Sequence, residues 1–127
     1  MSNECLIDKL TKDLVSLKLP VNEVDLFLRP YSSTFYGRYF PVFNEANTRP
    51  KIYIYPFLNK KGVLDSYDTI LCTAIHEMVH HIQYTSGSFI RLANVAHNPE
   101  FWKLYNRYVK RAIKLKLIKK EVLSDNA

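Results

Sequence analysis

One stretch constrains this chain more than any other: residues 70 to 85, Ile-Leu-Cys-Thr-Ala-Ile-His-Glu-Met-Val-His-His-Ile-Gln-Tyr-Thr. It runs without Gly or Pro as far as Gly87. Ile70, Leu71, Ala74, Ile75, Met78, Val79 and Ile82 give it the character of a buried helix. Inside it stands His76-Glu77-Met78-Val79-His80, an HExxH pattern. Residues four apart in a helix share a face and lie about 6 Å apart along the axis. Two imidazoles so placed can converge on one ion at Zn–N distances of about 2.0–2.1 Å. Glu77 falls beside the pair without being a ligand. Zinc lowers the pKa of a water that it holds, and Glu77 is placed to take that proton and pass it to a leaving amine. On a surface, two His around a Glu would mean little. In an apolar helix they are costly to bury unless paired or bound to metal. The pattern therefore predicts a Zn2+ site on a helix over 66–85.

The chain around this helix has 127 residues, which suits one domain over 1–127 with its core at about 3–121. An apolar fraction of 47% is enough for one core, and nine Tyr and seven Phe argue against disorder. Cys5 and Cys72 make no disulfide framework, which favours a reducing cytoplasm, or the host cytoplasm if the chain is viral. Glu4 and Asp8 precede any apolar run, so the start does not read as a signal peptide. No apolar run approaches the roughly 18 residues of a membrane span. The net charge is +6 and is unevenly placed. Residues 101–120 hold eight Lys and Arg and no acidic residue, which is where an anionic partner would bind.

The remaining pattern is of a small α+β domain. Leu6, Leu10, Leu14 and Leu17 form one stripe of a helix over 3–18, with Lys9, Lys12 and Asp13 away from it and Pro20 ending it. Residues 21–29 read as a strand, with Val24, Leu26 and Leu28 alternating with Asp25 and Phe27. Residues 35–43 read as a strand bent by Gly37 and Pro41, and Asn44 to Arg49 as a polar turn. Ile52, Tyr53, Ile54 and Tyr55, enclosed by Pro50 and Pro56, read as a strand at the sheet edge facing the site. Asp65 reads as the cap of the HExxH helix, with Asp68 in its first turn. Residues 89–97 form a connection. Asn98 then caps a last helix with Pro99 at its first position, and residues after Val122 are expected to fray.

A catalytic zinc site needs a third protein ligand. Metzincin spacing would require Gly at 83 and His at 86, where the chain has Gln83 and Ser86. His81 points about 100° around the helix from His80. The residues leave two candidates, Glu100 in a thermolysin-like set and His97 in a three-histidine set.

His76-Glu77-Met78-Val79-His80 followed by His97-Asn98-Pro99-Glu100-Phe101 resembles the SprT-like zinc metalloprotease domain, the family of the Spartan proteases that cleave proteins crosslinked to DNA. The resemblance implies a zincin-like fold: an N-terminal helix, a three- or four-stranded sheet, the HExxH helix and a C-terminal basic helix. It implies His76, His80 and His97 as ligands and Glu77 as base. Asn98 stands where the family usually has Gly, and as a good cap it should preserve the geometry. These 127 residues contain no Cys-rich zinc ribbon, so the substrate class is poorly implied. Short stand-alone forms of this domain also occur in bacteriophages. With His97 so presented, Glu100 is expected to be a first-turn charge favoured by the helix dipole.

Phe101, Leu104, Tyr105, Tyr108, Ala112 and Leu115 have helical spacing and are expected in the core, as are Cys72, Met78 and Val79. Lys103, Arg107, Lys110, Arg111 and Lys114 lie on another side of the same helix, either as a solvated face or as a seat for DNA or RNA phosphate. Tyr84 or Tyr105 could donate to a developing oxyanion. The leading expectation is a zinc endopeptidase acting on a protein or peptide strand added at Ile52–Tyr55. The competing one is a zinc-stabilised module for nucleic-acid binding, viral assembly or host interaction, without catalysis.

Overall fold

The computed structural model describes residues 3–41, 48–86 and 97–120, and for Asn3 and Glu4 the backbone alone. Helix α1 spans Asn3–Ser16. Its stripe of Leu6, Leu10 and Leu14, continued by Leu17, is buried. Each such side chain contributes about 1.5–3 kcal/mol through burial. The helix stops through its own backbone before Pro20. Lys18 takes a left-handed φ of 62°. Its N–H reaches the Val15 carbonyl at 2.9 Å, and the Leu19 N–H reaches Leu14 at 3.1 Å, a Schellman closure. Asp13, expected on the outer side, is buried because it accepts a hydrogen bond from the Tyr67 hydroxyl at 2.5 Å.

Three short strands follow: β1 at Asp25–Leu28, β2 at Gly37–Phe40 and β3 at Lys51–Ile54. The start of the expected 21–29 strand is instead a 3-10 turn over Val21–Glu23. The sheet order is β1-β3-β2, with β1 parallel and β2 antiparallel to β3. This corrects one expectation. Ile52, Tyr53 and Ile54 form the central strand with partners on both sides, and Tyr55 donates its N–H to the Tyr36 carbonyl. Pro50 and Pro56 sit just outside the ladder, where a missing N–H does no harm, so flanking prolines marked its ends and not an edge. Among the described residues the edge strand beside the site is β2.

Helix α2 spans Tyr67–Ser86 and α3 spans Pro99–Lys114. The cap of α2 is Ser66, whose Oγ accepts from the Thr69 N–H at 3.2 Å, while Asp65 accepts from the Ser66 N–H. The expected turn at Asn44–Arg49 and connection at 89–97 fall mostly outside the described residues, and the tail after Val122 falls wholly outside them. In α3, Phe101, Tyr105 and Ala112 are buried as expected. Val109 joins them, and Leu115 is 47% exposed because the helix ends at Lys114. The result is a small α+β domain of three helices and a three-stranded sheet. Helices α1 and α2 cover one sheet face. Ile52 and Ile54 meet the same core as Leu10, Leu71 and Ile75. No described helix is long and apolar enough to cross a membrane.

Candidate metal centre

His76 and His80 leave α2 one turn apart, and His97 stands just before α3. The Nε2 atoms of His76 and His97 are 3.0 Å apart, and those of His80 and His97 are 3.1 Å apart. The three ligand atoms lie within 4.8 Å of one another. Two nitrogens on one tetrahedral ion, each about 2.0–2.1 Å from it, would be about 3.3 Å apart. The triad therefore has nearly the spacing that a zinc ion requires.

The position of His97 comes from the start of α3. Asn98 has extended backbone and its side chain accepts from the Phe101 N–H at 2.8 Å, with Pro99 in the first helical turn. This cap turns the chain sharply and leaves His97 outside the helix. Gln83 Nε2 donates to the same Asn98 oxygen at 3.2 Å, which ties the cap to α2. Phe101 then packs against all three imidazoles, with ring centroids at 4.7, 4.6 and 4.9 Å from His76, His80 and His97. Trp102 and Tyr105 complete an aromatic collar on His76, at 5.9 and 5.8 Å.

Burial shapes the charges. Burial first, then the neighbouring His76 and His97, pushes His80 down to about 3, and burial lowers His97. Both rings therefore keep the neutral, lone-pair-bearing form that ligation needs. Glu77 is buried, and burial raises its carboxyl to about 8. Its Oε2 has no hydrogen-bond partner among the described residues. A divalent ion beside it would reverse that direction and favour the carboxylate. Three convergent imidazoles and an unsatisfied carboxyl fit a bound cation better than they fit a metal-free core.

His81 is excluded as a ligand by its own contacts. Its Nδ1 meets the Tyr39 hydroxyl and its Nε2 meets Glu23 Oε1, each at 2.8 Å. Glu100 is exposed and outside the ligand cluster. Tyr105 is fully buried in the collar, and Tyr84 is half-buried beside Tyr39 with ring centroids 6.3 Å apart. Cys72, Met78 and Val79 are core.

Two features escaped the sequence reading. The sequence predicts a bend at Gly37, and the structure shows that this glycine also lets β2 lie against α2. A Cβ there would stand 2.8 Å from Thr73 Cγ2 and 3.0 Å from both Glu77 Cγ and Oε2. A glycine inside a strand is the usual signal of such close approach. Gln83 counted only against one ligand spacing. Its tie to Asn98 had no signal in the sequence.

The basic side chains Lys103, Arg107, Lys110, Arg111 and Lys114 are all exposed. Arg111 is partly engaged, since it donates to the Leu17 carbonyl at 3.0 Å and caps α1. Compared with family models, curated proteins and solved structures, the chain matches none of them.

Proposed function

We propose that this chain is a zinc-dependent endopeptidase with a zincin-like domain akin to the SprT-like proteases. The observation that carries the reading is the convergence of three imidazole nitrogens next to the buried Glu77 carboxyl. His76, His80 and His97 would hold the ion. When bound, zinc would supply Lewis-acid polarisation of a scissile carbonyl and acidify a water. Glu77, buried beside the ligand set, would accept a proton there and return it to a departing amine. An ion bound beside it would favour the carboxylate, the form that accepts a proton.

The substrate strand belongs on β2 in this reading, not on β3. The outer edge of Gly37–Phe40 has no strand partner among the described residues, and a Cβ on its first residue would stand 3.0 Å from Glu77 Oε2. A peptide adding there would gain backbone hydrogen bonds beside the base. The same reading keeps the protein in a reducing cytoplasm. The test compares wild type with Glu77→Gln on an unfolded protein substrate, with zinc content measured for both. Glu77→Gln should retain zinc and lose on the order of 10²–10⁴ in rate. Equal cleavage by the two proteins would remove Glu77 as the base.

A second reading, a zinc-stabilised nucleic-acid-binding or viral assembly module, is favoured by α3. Lys103, Arg107 and Lys110 are exposed without acidic partners among the described residues. It predicts binding without cleavage. Neutralising Arg107, Lys110 and Arg111 together should cut the salt slope of binding by more than about one unit.

A further inference from the structure

The sheet face turned away from α1 and α2 has a composition that the core does not explain. Side chains alternate along a strand. Ile52 and Ile54 are buried, Leu26, Leu28 and Tyr39 pack against the core, and Gly37 faces α2. The alternate set consists of Phe27 and Arg29, Lys51 and Tyr53, and Arg38 and Phe40. It faces away from the helices. The register places Phe27, Tyr53 and Arg38 in one row across all three strands, with Lys51 opposite Phe40 in the next. The rings adjoin: centroids are 5.8 Å apart for Phe27 and Tyr53, and 4.9 Å for Phe40 and Tyr53.

The cations rest on these rings. The Arg29 guanidinium lies 5.1 Å from the Tyr53 centroid. That of Arg38 lies between two rings, 4.7 Å from Phe40 and 4.4 Å from Phe35. Neither arginine has an acidic partner among the described residues. Asp25, which stands opposite Lys51 in the β1–β3 register, is held by Arg49 at 3.0 Å. Among the described residues, Arg29, Arg38 and Lys51 have no carboxylate within ion-pair distance.

We propose that this face binds single-stranded nucleic acid, with bases stacked on its rings and phosphates on Arg29, Arg38 and Lys51. Rings flanked by cations are the chemistry by which sheets hold single strands, because every base offers a π face and every linkage a negative charge. A guanidinium laid on a ring is ordered in advance and keeps its N–H donors for phosphate. A duplex hides its base faces and cannot use the rings. A lipid surface calls for rings that project into it. Here Tyr53 and Phe40 are half-buried, and only Phe27, at 43% exposed, projects. The proposal uses none of the metal-centre residues and stands apart from the peptidase reading. It also differs from a phosphate seat on α3, which packs against α2 and not against the sheet.

The test is fluorescence anisotropy of the full chain with a labelled mixed-sequence DNA single strand of about 15 nucleotides, a length within the range that single-strand binders cover. The same sequence as a duplex and phosphatidylserine-containing vesicles serve as competing probes. The single strand should bind in preference to both. Phe27→Ala should weaken it by about fivefold or more, and Phe27→Trp should restore it. Arg29→Ala with Arg38→Ala should lower the salt slope by about 1.4, at about 0.7 per phosphate contact. Circular dichroism of each variant checks that the fold persists. Three results would overturn the proposal. One is equal duplex binding lost only on neutralising Lys103, Arg107 and Lys110. Another is binding to vesicles but not to the strand. The third is a Phe27→Ala change from dimer to monomer in sedimentation with unaltered DNA affinity.

Discussion

Helices α2 and α3 both position histidines of the candidate metal centre, and they do so by opposite means. Helix α2 is buried along most of its length, and its polar groups are inside with the rest. Thr73, His76, Glu77, His81 and Gln83 all lie in the interior. Helix α3 follows the ordinary amphipathic rule. Phe101, Tyr105, Val109 and Ala112 face inward, and its charges face solvent. Its contribution to the site lies in the residue before it begins. A buried polar side chain is costly unless its needs are met. In α2 those needs are met by function, by tethers, or by the cation we propose. In α3 almost none arises. The contrast suggests that chemistry is concentrated in α2 and positioning in the cap of α3.

The strongest way to break this contrast is at His97. If the start of α3 supplies a true ligand, His97→Ala leaves two imidazoles on the ion. A four-ligand structural zinc site binds with about 10–16 kcal/mol, so one ligand represents on the order of a hundredfold or more in affinity. Zinc titration against a competing chelator should show that loss. Chelation of the wild type should also lower the melting temperature, with recovery on adding zinc, because the ion would join α2 to α3. An unchanged melt after confirmed metal removal would mean that the helices hold together without the ion.

Gly37→Ala tests the other side of α2. The added methyl meets Thr73 and Glu77 inside normal contact distance. Overpacking of this kind costs about 1–3 kcal/mol. Because one of the crowded groups is the proposed base, turnover should fall further than stability alone explains, while zinc affinity changes little. A variant that melts and turns over like wild type would show that β2 has room to move away from α2.

These two sites also show what the sequence made legible. The HExxH helix, its two histidines and the capped start of α3 were readable because each rests on local geometry: a four-residue spacing, or a cap beside its own helix. The Leu stripe of α1 was readable for the same reason. Sheet order was not. The prolines around Ile52–Tyr55 report only that the ladder stops there, and strand order depends on contacts between distant segments. Asp13 went astray similarly, since its partner Tyr67 lies 54 residues away. The contact of Gly37 with Glu77 is again a meeting of distant segments.

Asn98→Ala sharpens the comparison at smaller scale. It removes the cap of α3 and the acceptor for Gln83 together. Loss of an Asn cap costs typically about 1 kcal/mol. If the cap positions His97, zinc affinity should fall along with stability, and Asn98→Asp, which keeps the accepting oxygen, should recover most of both. A stability loss with unaltered zinc affinity would mean that the triad is positioned by the aromatic collar instead.

The smallest expected effect is at Glu100, and it decides which ligand set is present. Glu100 is exposed in the first turn of α3, where a negative charge faces the positive end of the helix dipole. That interaction contributes about 0.3–1 kcal/mol and weakens with added salt. Glu100→Ala should therefore lower the melting temperature slightly, less so at high ionic strength, and leave zinc affinity where it was. The three nitrogens of His76, His80 and His97 already converge without it. If Glu100→Ala instead costs more zinc affinity than His97→Ala, the third ligand is a carboxylate from within α3, as in the thermolysin-like arrangement. In that case α3 would bring chemistry from its body as α2 does, the contrast between the helices would fail, and the resemblance to SprT-like domains would fail with it.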